Sequence, residues 1–473
     1  MIARWRGLGA LVVAALSSLV ACAGTAATAS SDPGSSDRVR SAARDPLAPP
    51  PIDSAAGAHG AELSLVGVTA DDWAIVREAR AEGGVVHALA LDGTSAVEID
   101  ARSDVAVIRN RVVFSLAGAR LTAWSPSSGA HVVSTAAAGL DVAVAANAEG
   151  SKIVWGELHH GSAETVAMMV ASVDGTQPTV AIAAIDPACR PRSVTRGARV
   201  LLDVCDPSRS VSTLQVIDTT DGLATPLVDS VSSWSVDDAG VSVAAIVKAP
   251  SGRLEAMVLP TSGDGPILDV GQTDGPLATI LGDGSAVVFT DRRVVRVWLR
   301  ATRTATTTGA AGMLGPIAPD GGRFVYSDLY GRGVATIDGR SPPLPLPLVT
   351  GDTLNADAFT ADGGAVVYLA DPDPLSPLVG TPAVASVTTG ARRLLGPAGT
   401  RVDRVVPTRG AQLVFLARSP GAPAGDLCVV DATSGGSRRL TERASDFAVD
   451  AERARVVWLE PRDGGPRVHV ATL

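Results

Sequence analysis

The sequence predicts an all-β fold assembled from one short unit repeated down the chain, and three observations predict it. Apolar residues make up 46% of the chain but aromatics only 3%, so its hydrophobic content is Val, Ala and Leu, cut into short runs by Gly 49 and Pro 31. Val-rich runs bounded by Gly, Pro and Asp read as strands and turns, and no long helical period interrupts them. The third observation is an interval. A turn glycine followed five residues later by an aromatic recurs along most of the chain.

Gly150 leads to Trp155, Gly284 to Phe289, Gly321 to Tyr326, Gly363 to Tyr368 and Gly410 to Phe415. Phe114 and Trp458 take the same slot without the glycine, Leu202 and Ala245 follow Gly197 and Gly240, and Val76 fits the first unit. Successive slots lie 37 to 47 residues apart, which makes ten units. Of the chain's 16 aromatics, 7 fall on this one position, which argues against chance. Each unit continues into a second apolar run closed by a tight turn, as at Asp92-Gly93, Asp174-Gly175 and Asp338-Gly339. Such pairs suit the left-handed positions of hairpin turns. A short outer strand usually follows, as in Arg392-Arg393-Leu394-Leu395.

Counting the segment before each glycine turn gives four strands per unit, the content of one propeller blade. A four-stranded sheet cannot bury both its faces alone, so blades stack around an axis and bury one another. The expectation is therefore a β-propeller of four-stranded blades over residues 63–473, with about ten repeat units in one ring. Two smaller rings, or eight true blades with degenerate units absorbed elsewhere, are the alternatives. The aromatic slot is expected to pack between blades rather than to touch a ligand. The last unit stops at a third strand, Pro466 to Ala471, so its missing outer strand is expected from Leu63-Ser64-Leu65-Val66-Gly67-Val68.

Pro319-Asp320-Gly321-Gly322-Arg323-Phe324-Val325-Tyr326 and Ala361-Asp362-Gly363-Gly364-Ala365-Val366-Val367-Tyr368 resemble the core of TolB-like propeller repeats. The later Thr-Gly or Ser-Gly followed by Arg-Arg-Leu is similar to that family's outer strand. The likeness runs from about 280 to 458 and fades before that. It implies a propeller in a secreted or periplasmic setting, commonly with a protein-binding role, and it transfers fold better than function.

The chain opens with Arg4 and Arg6, then an apolar run from Leu8 to Val20 that is short for a membrane span and reads as a signal peptide over residues 1–21. Leu19-Val20-Ala21-Cys22 resembles the bacterial lipobox, which implies diacylation of Cys22 and cleavage before it. An ordinary secretory signal is the alternative. Two or three acyl chains anchor stably where one would not. Ala23 after the lipidated Cys22 implies, by the family rule, transfer to an outer membrane where one exists. Residues 22–62 are rich in Ala, Ser, Gly and Pro and read as a flexible tether with a reach of about 35 Å.

The net charge is −9, and removal of Arg4 and Arg6 with the signal makes the mature chain more acidic still. Such a surface argues against a nucleic-acid partner. Cys189 and Cys205 each lie eight residues from Gly197, so they are expected to face each other as a disulfide in an exported protein; two buried thiols are the alternative. Cys428 sits in an apolar run and is expected in the core. His159 and His160 are adjacent and are expected in a loop.

No His-Glu-x-x-His, Cys-x-x-Cys or EF-hand spacing appears, nor a nucleophile elbow or phosphate loop. No catalytic residue, metal site or cofactor is therefore expected. Asp203, Asp291 and Asp328 follow inner strands but read as turn or rim residues. Proline-rich insertions, one carrying Asp371, Asp373 and Ser376 and the next beginning at Ser419, exceed the minimum loop and form the candidate binding face. The expected function is a non-enzymatic binding or scaffolding module in the cell envelope, anchored to the membrane and meeting a protein or cell-wall partner. The alternatives are a lactonase- or glycan-lyase-type enzyme with acids at the channel, and a structural protein with no small ligand.

Overall fold

The computed structural model describes residues 63–473 apart from 82, 140–143, 161–163, 187–192, 207–210, 330, 349–351, 373–378, 397–399, 403, 420–421, 452 and 462–466. Among the described residues every regular element is a β-strand, and all the sheets are antiparallel meanders in sequence order. Ten blades follow one another: 63–103, 105–134, 145–185, 193–231, 231–273, 278–311, 313–345, 353–394, 405–444 and 446–472. Blades 4 and 5 share one long strand, Ala224–Val236, and so form a single seven-stranded sheet.

The apolar side chains sort into clusters that each join two consecutive blades. Val113 and Trp124 of blade 2 meet Ile75 and Val86 of blade 1, and Val366 and Tyr368 of blade 8 meet Val325 and Val334 of blade 7. The series ends with Val457, Leu459 and Val468 of blade 10 against Leu65, Val76 and Leu89 of blade 1. The blades therefore close into one ring of ten, a β-propeller. First strands of neighbouring blades lie side by side, as Leu63–Val68 does with Asp446–Asp450, and line the axis.

The repeated glycine sits in the turn between first and second strands, with φ of +71° at Gly150, +68° at Gly240 and +66° at Gly321. At Gly240 a Cβ would stand 2.3 Å from the Cβ of Arg196 in the preceding blade, so the turn needs glycine for the close approach as well as the backbone. Asp72, Asn110 and Ala454 take the left-handed position in the blades that lack the glycine. Asn and Asp tolerate it better than Ala.

The slot residues lie on second strands and are buried between blades: Trp155, Phe289 and Phe415 are at most 1% exposed. Phe114 departs from the pattern. The other slot residues face the preceding blade, but Phe114 packs with Ile153 and Trp155 of the following one. The turn of blade 2 is only two residues, with Arg109 opposite Val112. A one-residue slip turns a strand's side chains over. The residue five beyond Asn110 is Ser115, which does face blade 1, where its hydroxyl donates to Asp100 at 2.8 Å.

Leu63–Val68 is not the outer strand of the last blade. It pairs with Trp73–Glu78 as the first strand of blade 1, and blade 10 has three strands among the described residues. Alternation put one apolar face on this segment but could not tell the axis from the rim, since both are partly open to solvent. His159 and His160 likewise end a strand, Lys152–His160, paired with Thr165 and Glu164.

Antiparallel order fixes two ends of the ring. Turns from first to second and from third to fourth strands lie at one end, called lower here. Links from second to third strands, and from each blade to the next, lie at the upper end, where Leu63 also begins blade 1.

Candidate functional site

The lower end carries tight turns closed by their own aspartates. Asp92 accepts the N–H of Thr94 at 2.9 Å and its hydroxyl at 2.7 Å, and Asp174 does the same with Thr176. These bonds hold both carboxyls below the usual range, the Thr hydroxyl contributing most. They are turn formers.

The upper end carries the long links. Asp371 follows the second strand of blade 8, Ala365–Ala370, with φ of +48°. Its N–H donates to the Asp352 carboxylate at 3.3 Å, and Arg401 donates to its carbonyl. Arg332 in turn donates to the Asp352 carbonyl at 3.0 Å. Links of blades 7, 8 and 9 are thus laced together, with Asp352 buried and Asp371 exposed. Ser419 follows the second strand of blade 9, Gln412–Ala417; it is exposed, and its carbonyl accepts the Ala422 N–H at 3.0 Å. Topology therefore puts Asp371 and Ser419 at the same end of adjacent blades. Asp373 and Ser376 lie outside the described residues.

Asp203, Asp291 and Asp328 stand on or at the end of second strands and each has a partner. The Trp234 indole donates to Asp203 at 3.3 Å, Arg296 to Asp291 at 2.8 Å, and the Gly331 N–H to Asp328 at 3.0 Å. Asp291 and Asp328 belong to a series that sequence reading missed: an acid two residues beyond the slot, also at Glu78, Glu157 and Glu460. Alignment of the units on the slot reveals it.

In two blades the partner is the third-strand residue directly opposite the slot, Arg296 opposite Phe289 and His469 opposite Trp458, and His87 stands in the same place opposite Val76. Diagonal neighbours across two strands are within reach of long side chains. His469 Nε2 stands 3.0 Å from Glu460, with its ring stacked 5.3 Å from that of Trp458. His87 Nε2 is 3.8 Å from Glu78, too far for a hydrogen bond, and Arg80 holds that carboxylate instead at 2.8 Å. Burial pushes the His87 ring below the usual imidazole range despite nearby Glu98 and Glu78. Glu157 accepts from the Trp155 indole and the Ser134 hydroxyl, both at 3.1 Å. The Tyr368 phenol, buried between blades, is pushed up to about 12 by desolvation.

An open groove of about 730 Å³ lies at the upper end where blade 4 passes into blade 5. Val228, Asp229, Ser230, Lys248, Pro250 and Glu255 line it, and Ser230 has φ of +60°. Its walls carry both signs of charge. Among the described residues no group of three His, Cys, Asp or Glu side chains stands close enough to hold a metal ion. Cys205 ends the second strand of blade 4 and is not a free thiol; Cys189 lies outside the described residues. Cys428 is fully buried with Phe415 and Val384. Among the described residues no helix is long and apolar enough to cross a membrane.

No family model matches the chain, and no curated protein sequence matches it. Solved structures do resemble it. The tricorn protease matches at 13% identity and a TM-score of 0.34 over 86% of this chain and 42% of its own, so the chain spans less than half of that protein. Oligogalacturonate lyase in complex with manganese matches at 10% and 0.32, over 87% of this chain and 90% of its own. TolB from Acinetobacter baumannii matches at 13% and 0.28, over 76% and 77%. The likeness is one of architecture, to enzymes and to TolB alike, and leaves function to this chain's own residues.

Proposed function

We propose that this chain is a cell-envelope lipoprotein, anchored through Cys22, whose ten-bladed ring binds a protein or cell-wall partner and performs no chemistry. Residues 1–21 serve as signal peptide and 22–62 as tether, and Cys189 pairs with Cys205. One observation supports the binding reading above the others. Four acids on the second strands, Glu157, Asp203, Asp291 and Glu460, are held by partners within the fold, whereas the upper links of blades 7 to 9 are cross-tied into a rim that leaves Asp371 and Ser419 open. Fixed, exposed loops on a rigid scaffold suit recognition.

The test has two arms in the native host. Cys22→Ser is expected to move the protein from the detergent phase to the aqueous phase. A photo-crosslinking residue at position 371 or 419 is expected to give one discrete adduct in intact envelopes. Wild type in the aqueous phase overturns the anchor. No adduct, together with turnover of a lactone or uronide by purified protein, overturns the binder in favour of an enzyme.

A further inference from the structure

At the upper end of blade 6 a two-residue turn, Arg292 and Arg293, joins the strands Ala286–Asp291 and Val294–Leu299. Both arginines have left-handed backbones, with φ of +51° and +61°. Turns of this kind select Asn-Gly because both positions need positive φ, and a side chain with a Cβ there carries a steric penalty that glycine escapes. Two arginines in that place give up stability and gain two displayed guanidinium groups. Strain of this sort clusters at sites of function.

Both side chains are exposed, and neither has an ion-pair or hydrogen-bond partner among the described residues. The nearest acid in sequence, Asp291, is occupied by Arg296 at 2.8 Å. In a chain of net charge −9 two unpaired cations side by side are out of character.

Large apolar side chains surround this turn. Leu277 is 46% exposed, Met313 60% and Leu329 90%. Backbone pairing brings them to the same corner: the Gly312 N–H donates to the Arg293 carbonyl at 2.7 Å, Met313 lies opposite Ser327, two residues before Leu329, and Leu277 leads into the strand paired with Phe289. Large apolar side chains left exposed together are a mark of interaction sites.

We infer that this corner of blades 6 and 7 docks an acidic segment of a partner protein, its carboxylates on Arg292 and Arg293 and its apolar side chains on Met313 and Leu329. Guanidinium forks match carboxylates two bonds at a time, and Met adapts to whatever shape it meets. Asp274 and Asp328 stand exposed on the same edge, so a flat anionic membrane would press headgroups onto carboxylates, whereas a peptide can thread between them. The inference rests on the binding reading above and names its face and the partner's chemistry.

The test uses the purified mature chain and three probes: a labelled peptide alternating Asp or Glu with Leu and Phe, the same peptide with Lys for each acid, and phosphatidylglycerol vesicles. The acidic peptide is expected to bind and to weaken with salt. Arg292→Asn with Arg293→Gly is expected to cost at least tenfold in affinity and yet raise Tm, because the new turn fits its backbone. Met313→Ser with Leu329→Ser is expected to weaken binding as well. The inference is overturned by an acidic peptide that fails to bind, by equal binding of the Lys peptide, by vesicles that bind in preference, by unchanged affinity of the turn variant, or by a fall in its Tm. Crosslinks from 371 and 419 report the partner independently. If they persist while these tests fail, only the docking face is wrong; if both fail, the binding reading falls too.

Discussion

Blades 4 and 5 are joined quite differently from blades 10 and 1. Between blades 4 and 5 one strand runs straight through: residues up to Val231 pair with the third strand of blade 4, and residues from Val231 onward pair with the second strand of blade 5. Ser230 and the register shifts beside it make the bend. Between blades 10 and 1 no strand is shared. Apolar faces meet there, the Leu65 N–H donates to Asp446 at 2.8 Å, and Arg453 and Arg455 converge on Asp72. Apolar faces meet at both joints, which teaches that packed faces suffice to join blades and that the shared strand is an addition to them.

The largest effect that separates the two joints comes from their cores. Leu459→Ala at the seam and Leu201→Ala at the shared sheet remove equally buried side chains, so each is expected to destabilise by roughly 2–5 kcal/mol. Their signatures should differ. Hydrogen exchange in Leu459→Ala is expected to rise in 63–103 and 446–472 well below the global unfolding midpoint, and Leu201→Ala should show no such local opening. Identical exchange patterns would remove the distinction.

Asp72→Asn, which removes the charge and keeps a residue suited to the left-handed turn, is a smaller break in the seam alone. The carboxylate is half exposed, so its loss is expected to cost about 1 kcal/mol or less in denaturant titration. The cost should fade in molar salt, and a loss insensitive to salt would show that packing, not charge, is at stake. The smallest effect tests the other joint. Ser230→Gly frees the bend of its left-handed strain but adds unfolded-chain entropy, for a net gain of under about 1 kcal/mol in the same titration. A loss would mean that the serine side chain holds the bend.

The ring was legible because its cause is written locally. Each glycine turn and the buried residue after it must recur for sheets to stack, so Gly150 with Trp155 and Gly363 with Tyr368 announced their blades. Phe114 misled because a one-residue slip keeps the composition and reverses the face; Ser115, a polar residue, holds the place. Leu63–Val68 misled because inner and outer strands share one pattern of half-burial. The rim was legible where proline marks it, at Asp371 and Ser419. Arg292 and Arg293 were not, because a turn built against its own conformational preference leaves no signal in the residue types.

The first strand of blade 1 begins at the upper end, on the side that bears Asp371, Ser419 and the arginine turn. Any attachment made through residues before Leu63 therefore pulls on that same side, and whatever docks there shares the gap between ring and anchor point.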